Sequence, residues 1–187
     1  YVIDVHSMSV DGWRKEGGKW VEAADANTKL GTFGTYNPNT KSGIKTIVDS
    51  GSTMNIVPPK IFFAIEKLLP AVNIAKKAGL PAGFFSARPG DDNYSIAVSD
   101  EQIAKFPTFQ VSIRGTGSEL VNLHIKPQQY FKQLRKGQRT NSFRKGKGLY
   151  ILGQVFMEGY YVEFDRVNKR LGFFASDELC TAEAFKR

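Results

Sequence analysis

Apolar and polar residues alternate over many short stretches of the chain, with the period of two that is typical of β-strands. Runs rich in Gly, Asn and Pro separate these stretches and predict turns, among them Asp11-Gly12 and Asn168-Lys169. The pattern predicts a mainly β fold. Its predicted strands cover residues 2–10, 31–36, 44–49, 109–113, 120–125, 150–152, 159–165 and 170–175.

Helical spacing occurs in two places. Pro58 and Pro59 precede a run whose apolar residues follow a helical period, which predicts a helix over residues 60–69. Proline favours the start of a helix because its fixed φ angle suits the first turn. A shorter pattern predicts a second helix over residues 72–78. Residues 80–100 follow neither period, so we expect irregular surface there with short extended pieces.

Length and composition agree with a folded β-rich chain. The 187 residues are 41% hydrophobic and 12% aromatic, which suffices for a single domain, residues 1–187, with a sizeable core. The 18 Gly and 8 Pro fit a fold rich in turns. Charged residues interrupt every apolar stretch before the ~20 residues that a membrane span needs. We therefore expect no membrane span in this chain.

The net charge of +8 raises nucleic acid or an acidic membrane surface as a partner. Residues 131–148 contain seven Lys or Arg and no acid, whereas the remainder of the chain is nearly balanced. The excess is therefore local, which argues against nucleic-acid binding. We expect this basic segment to form an exposed loop, with contact to an acidic partner as the alternative. The one cysteine, Cys180, allows no disulfide within the chain.

The stretch IVDSGSTMNIVPP contains the strongest candidate for chemistry. An apolar predicted strand ends at Asp49, and a carboxylate in this position is costly to bury unless it is hydrogen-bonded. Gly51 lets its backbone N–H approach the carboxylate because it has no Cβ. The hydroxyls of Ser50, Ser52 and Thr53 are further candidate donors. This stretch alone leaves two interpretations open, a strand-ending turn and a catalytic carboxylate.

A second segment, about a hundred residues later, favours the catalytic interpretation. The sequence GLYILG ends an apolar strand at Gly153, and YYVEFDRVNKRLGF then predicts a hairpin. In order and spacing, the Asp-Ser-Gly-Ser motif, the apolar-apolar-Gly motif and this hairpin resemble the carboxy-terminal lobe of the pepsin-like aspartic proteases. YVIDVHSMSVDG and LHIKPQQYF resemble further parts of that lobe, so the resemblance covers most of the chain. Within the family it is nearest to the beta-secretases.

The resemblance implies a mainly β lobe with one or two short helices, in which Asp49 is one of two catalytic aspartates. It implies that Ser50 joins a hydrogen-bond grip between two lobes. Ser52 and Thr53 would orient the carboxylate or touch the substrate backbone. Ile151 would line a pocket for a substrate side chain.

The neighbouring residues would have structural roles. The resemblance implies that Leu152 packs near Asp49 and that Gly153 permits a close approach of two backbones. Asp165 lies before the turn of the closing hairpin, and we expect it to be structural.

The implied reaction is hydrolysis of peptide bonds by acid–base catalysis through a bound water, without metal, organic cofactor or covalent intermediate. The chain has no second Asp-Thr/Ser-Gly motif. We therefore expect the second aspartate on a complementary amino-terminal lobe that is absent from this chain. A homodimer that pairs two copies of Asp49 is a less favoured source. The alternative function is a non-catalytic binding or assembly subunit that retains the fold.

The family also implies an acidic compartment of the secretory or endomembrane system, of lysosomal type. The lack of an internal disulfide argues against such a compartment. Other kinds of site have less support. His6 and His124 lie in predicted strands without Cys or carboxylates at metal-ligand spacing, so we expect ordinary strand positions. No Gly-x-Ser-x-Gly motif occurs, which argues against a serine hydrolase.

Overall fold

The computed structural model of the protein describes residues 1–34, 45–71, 79–81, 83–89, 91–92, 94–117, 119–135 and 137–175. Within these residues the fold is mainly β, as predicted. The strands are β1 (Val2–Ile3), β2 (Val5–Glu16), β3 (Lys19–Thr32), β4 (Lys45–Val48), β5 (Asn55–Val57), β6 (Ile96–Ala97), β7 (Phe109–Arg114), β8 (Leu120–Ile125), β9 (Phe131–Arg135), β10 (Gln138–Asn141), β11 (Phe143–Lys145), β12 (Leu149–Leu152), β13 (Tyr160–Asp165) and β14 (Arg170–Ala175). The helices are α1 (Pro59–Ala71), α2 (Asp100–Ile103), α3 (Pro127–Tyr130) and α4 (Gln154–Met157), with a 3-10 turn at Phe84–Ser86.

Most predicted strands occur close to their expected bounds, and β8 and β14 match them fully. The first hairpin differs, because β2 continues to Glu16 and β3 occupies much of the next segment. The predicted turn at Asp11-Gly12 is wrong: it is a bulge inside β2, where Gly12 has a φ of 75° and the register with β3 shifts. A bulge needs the same permissive glycine as a turn, so the local sequence does not separate the two.

The predicted strand at 31–36 is only partly present. Residues 31 and 32 end β3, residues 33 and 34 lie outside any strand, and residues 35 and 36 fall outside the described residues. The predicted helix at 60–69 is confirmed as α1, which starts at Pro59. Ile61, Ile65, Leu68 and Leu69 of this helix are buried. Gly31 of β3 lets the helix approach, since a Cβ there would lie 2.9 Å from Ile61 Cγ1. The predicted helix at 72–78 lies outside the described residues.

Two larger sheets build the framework. The first is antiparallel and has the order β3-β2-β7-β8. The second has the order β1-β4-β12-β5-β11, so that β12 lies between β4 and β5. Strand β12 runs parallel to β4 and antiparallel to β5, and its Ile151 is in register with both Ile47 and Ile56. The insertion of β12 brings the end of β4 close to a segment that is distant in sequence.

The basic segment at 131–148 is not the exposed loop that we expected. It forms β9, β10 and β11, with Phe131 and Phe143 fully buried. The Arg139 guanidinium donates to the Phe131 carbonyl at 3.0 Å and pairs with Asp100. The described basic residues of the segment are exposed or half-buried, whereas Phe131 and residues 140–143 are buried, so the segment carries its charge on strands that contribute to the core. The high density of charge in the sequence concealed this contribution.

The closing hairpin of β13 and β14 is confirmed, with Asn168 and Lys169 in its turn. It packs on α4 through aromatic contacts, including Phe156 against Phe173 with ring centroids 5.9 Å apart. Its other side exposes Tyr161. No helix within the described ranges is long and apolar enough to cross a membrane.

Candidate active site

The loop between β4 and β5, residues 49–54, is called the Asp49 loop here. It starts where β4 ends, and its first amide, Asp49 N–H, donates to the Leu152 carbonyl of β12 at 3.1 Å. The Ser52 N–H donates back to the Asp49 carbonyl at 3.3 Å and closes a tight turn. The neighbouring strand β12 therefore fixes the position of the loop from its first residue.

The Asp49 carboxylate is half-buried and accepts a hydrogen bond from the Gly51 N–H at 2.9 Å. Gly51 has no Cβ, and one added there would lie 3.2 Å from Asp49 Oδ1. The hydroxyls expected as donors do not reach the carboxylate within the described residues: Ser52 Oγ donates to the Met54 carbonyl at 3.4 Å. Ser50 and Thr53 are exposed. A backbone amide thus fixes one carboxylate oxygen, while the flanking hydroxyls face outward or bond within the loop.

Gly153 occupies the closest approach between the Asp49 loop and the end of β12. A Cβ at this position would lie 2.5 Å from the Ser52 carbonyl oxygen and closer still to that of Met54. The Gln154 N–H, just beyond, donates to the Ser52 carbonyl at 2.7 Å. No side chain fits between these backbones, because real Cβ atoms do not approach an oxygen so closely. Leu152, just before Gly153, is fully buried.

Ile151 belongs to an apolar row beside the Asp49 loop. Its register with Ile47 and Ile56 puts the three side chains on one face of the sheet, and each is half-buried. Asp49 follows Ile47 by two positions, which continues the same face by strand alternation. A partly exposed apolar row therefore lies beside the carboxylate.

The comparisons with known proteins identify the family. The model of the family described as "Eukaryotic aspartyl protease" matches residues 20–176, which include the Asp49 loop, β12 and the closing hairpin. The chain belongs to the eukaryotic aspartyl protease family. The resemblance to the pepsin-like aspartic proteases is thereby confirmed.

Curated relatives of this family include a beta-secretase of Strongylocentrotus purpuratus. It is 31% identical over 144 residues, which cover 71% of this chain and 26% of the relative. Cathepsin D of Mus musculus is 27% identical over 142 residues, covering 71% of this chain and 29% of the relative. Cathepsin E-B of Xenopus laevis is 29% identical over 136 residues, which cover 70% of this chain and 28% of the relative. The chain thus spans less than a third of the length of these aspartic proteases.

Sequence reasoning missed one residue of the site, Asn55. It is fully buried at the start of β5, and its Oδ1 accepts a hydrogen bond from the Gly153 N–H at 3.0 Å. A signal was present in the sequence, since a single amide stands between Met54 and the apolar residues of β5. Buried amides in such positions need partners, and here the partner lies 98 residues away.

Asp165 has the structural surroundings that we expected. Its carboxylate accepts hydrogen bonds from the Asn168 N–H at 3.0 Å, the Asn168 amide at 2.8 Å and Arg170 Nε at 2.8 Å. The two Asn168 donors, with a smaller contribution from Arg170, lower the pKa of Asp165 to about 2. This aspartate therefore closes the β13–β14 turn.

The two histidines lie in strands, as predicted: His6 in β2 and His124 in β8. His124 Nε2 is 3.8 Å from Asp11 Oδ2 of β2, across the intervening strand β7. No group of three or more His, Cys, Asp or Glu within the described part of the chain is arranged to hold a metal ion.

Proposed function

We propose that this chain, residues 1–187, is the carboxy-terminal lobe of a pepsin-like aspartic endopeptidase and that Asp49 is one of its two catalytic carboxylates. The observation that carries this proposal is the arrangement of the Asp49 loop. A backbone amide holds one oxygen of a half-buried carboxylate at the end of a strand, and a second strand fixes the loop from the side. Membership of the aspartyl protease family supports a peptidase.

The reaction is the hydrolysis of peptide bonds by two carboxylates and a water molecule. Two carboxylates held close together share one proton because both ionise only at a high electrostatic cost, and aspartic proteases themselves are the standard example of this effect. One carboxylate takes a proton from the water, which attacks the peptide carbonyl. The other gives its proton to the developing oxyanion. The pair titrates as a unit, so neither role belongs to Asp49 alone.

The residues around Asp49 have supporting roles in this proposal. Ser50 and Thr53 are exposed beside the carboxylate, which suits contact with the complementary lobe for Ser50 and with the substrate backbone for Thr53. The Gly51 amide orients the carboxylate, and Ser52 holds the loop to α4 through its carbonyl. The apolar row that includes Ile151 gives a substrate side chain an apolar surface. Leu152 and Gly153 are structural.

The second aspartate belongs to a complementary amino-terminal lobe in this proposal. The chain spans 26% to 29% of the length of the aspartic proteases that it resembles, so those relatives contain much that this chain does not. Its surface also offers large apolar side chains for contact. They lie at the start of the chain and along the closing hairpin: Tyr1, Val2, Tyr161, Phe164, Val167 and Phe174.

The proposed site of action is an acidic compartment of the secretory or endomembrane system. A dyad that shares one proton works in acid, where one carboxyl group remains protonated. No cofactor has a role in the proposed reaction, and the substrate is a peptide or protein.

The test uses the full-length protein that carries this chain, or this chain in complex with the lobe that carries the second Asp-Thr/Ser-Gly motif. Cleavage of a mixed peptide library is measured at acidic pH for the wild type and for Asp49→Ala. We expect cleavage by the wild type and its loss in the variant. Unchanged cleavage by Asp49→Ala would contradict the site. A folded wild-type complex that binds peptides without cleaving them would instead favour the non-catalytic subunit.

A further inference from the structure

Asn55 has an unusual set of contacts for a buried amide. Its backbone N–H donates to the Ser142 carbonyl at 3.0 Å, and its Oδ1 accepts from the Gly153 N–H at 3.0 Å. Its Nδ2 is also buried, yet within the described residues it has no hydrogen-bond partner. A buried donor without a partner lowers stability. The presence of an amide here therefore calls for a reason other than packing.

The contact at Gly153 supplies that reason. Asp49 N–H donates to the carbonyl of the residue before Gly153, and the next amide, Gln154 N–H, donates to the Ser52 carbonyl. These two hydrogen bonds hold the Asp49 loop on each side of Gly153, and a longer one runs from Val155 N–H to the Thr53 carbonyl at 3.4 Å. The peptide N–H between the first two hydrogen bonds is held by the side chain of Asn55 instead of by backbone. The orientation of this one peptide affects both connections to the loop.

We propose that Asn55 is a positioning residue for the Asp49 carboxylate and that it acts through Gly153. This inference rests on the proposed function of Asp49. Asn55 Oδ1 fixes the Gly153 peptide, and the adjoining carbonyl and amide then hold the loop whose Gly51 N–H orients the carboxylate. A small displacement of a catalytic group lowers the rate strongly even when the mutation lies far from the chemistry. The hydrogen bonds of Asn55 go to Ser142 and Gly153 and not to Asp49, so Asn55 is not itself catalytic.

The first variant is Asn55→Leu in the full-length protein or in the complex of both lobes. Leucine has a similar size but accepts no hydrogen bond, so it leaves the Gly153 N–H without its partner. We expect kcat per folded molecule to fall by up to about 100-fold. We expect KM to change little, because the substrate-facing residues remain in place.

The matched control is Asn141→Leu. Asn141 is also buried, at 2% exposure, and its side chain bonds to the Phe85 carbonyl at 2.9 Å and the Phe143 N–H at 3.1 Å. Neither partner belongs to the Asp49 loop. This variant loses a buried amide and the stability that goes with it, but we expect it to retain wild-type kcat per folded molecule.

The second variant, Asn55→Asp, separates positioning from stability. Its carboxyl oxygen still accepts from the Gly153 N–H, whereas a carboxylate in this buried position lowers stability. We expect Asn55→Asp to have a higher kcat than Asn55→Leu and a melting temperature that is no higher. A purely structural role for Asn55 predicts that activity follows stability, which is the opposite order.

The outcomes are distinct. Loss of kcat in Asn55→Leu but not in Asn141→Leu, with recovery in Asn55→Asp, supports the inference. Equal kcat per folded molecule in Asn55→Leu and Asn141→Leu overturns it. If Asp49→Ala is inactive while Asn55→Leu is normal, only the positioning role fails. If Asp49→Ala remains active, the proposed function itself fails.

Discussion

Two aspartates of this chain lie where a strand ends and a tight turn begins, but their surroundings differ. Asp49 follows β4, and within the described residues its carboxylate accepts one hydrogen bond, from Gly51 N–H. Asp165 ends β13, and its carboxylate accepts three hydrogen bonds from its own hairpin, two from Asn168 in the turn and one from Arg170 of β14. A carboxylate that already accepts three hydrogen bonds has less capacity left to bind water or substrate. The comparison indicates that the number of local donors separates a structural aspartate from a candidate catalyst.

The two turns also differ in whether distant parts of the sequence support them. A strand from a distant part of the sequence, β12, fixes the Asp49 loop, and Gly153 permits the contact. Within the described residues, the hydrogen bonds to the Asp165 carboxylate come from its own hairpin, and the donors Asn168 and Arg170 lie within five positions. Long-range support is costly in chain entropy, so its presence around one aspartate and not the other indicates where exact geometry matters.

The comparison is tested most strongly by replacing each aspartate with asparagine. Asp49→Asn keeps the size of the side chain but removes the acid–base group, so we expect activity to fall by about 1000-fold or more. Asp165→Asn should leave activity unchanged, because its carboxylate is committed to the turn. Peptide cleavage at acidic pH by the full-length protein measures both variants.

Stability provides the control for this pair. Asp49→Asn should unfold at nearly the wild-type denaturant concentration, since the Gly51 N–H keeps a carbonyl oxygen as its acceptor. If Asp49→Asn unfolds much earlier than Asp165→Asn, the roles of the two aspartates are reversed and the comparison is wrong.

The second prediction concerns the support of the Asp49 loop. Gly153→Ala adds a Cβ against two backbone carbonyls, Ser52 and Met54, which do not move as freely as a side chain. We expect a loss of about 1–3 kcal/mol in the free energy of unfolding, together with a loss of cleavage. Gly117→Ala is the matched control, because the three atoms nearest to its Cβ all belong to the flexible end of the Glu119 side chain. Equal unfolding curves for the two variants would contradict the close approach at Gly153.

The sequence was sufficient for the parts of this site that depend on local pattern. The end of β4 just before Asp49, the apolar end of β12 and the hairpin around Asp165 all follow from short runs of residue types. The start of α1 followed from Pro59, because proline restricts the first turn of a helix.

The parts that failed depend on contacts between distant residues. Asn55 takes its role from Gly153, and no local pattern links the two. The strands β9 to β11 were concealed because their basic residues suggested a solvated loop, while Phe131 and Phe143 anchor them in the core. The bulge at Gly12 resembles a turn in sequence, since both need a positive φ.

The third prediction perturbs Gly51, whose N–H is the donor to the Asp49 carboxylate within the described residues. Gly51→Ala adds a Cβ 3.2 Å from Asp49 Oδ1, the oxygen that accepts from the Gly51 N–H at 2.9 Å. The carboxylate must shift by a few tenths of an ångström, so we expect kcat to fall by less than about 10-fold. Steady-state cleavage assays measure this effect. A loss as large as that of Asp49→Asn would mean that the glycine has a further role, and unchanged kcat would mean that the carboxylate tolerates displacement.

The smallest expected effect is the pH dependence of stability that comes from Asp165. The pKa of this group is lowered from 3.8 in the unfolded chain to about 2 in the folded protein, mainly by the two donors of Asn168. The unfolded chain therefore takes up a proton at a higher pH than the folded protein does. The stabilisation is fully present above the unfolded value and disappears as the pH falls from about 4 through about 2. Urea titrations at several pH values over this range measure the effect. As the pH falls, the unfolding midpoint of Asp165→Asn should decrease less steeply than that of the wild type. The same titrations of Asp49→Asn test whether the other aspartate contributes similarly. Parallel curves for Asp165→Asn and the wild type would mean that the donors of the turn do not favour the ionised carboxylate, and the distinction between the two aspartates would lose its physical basis.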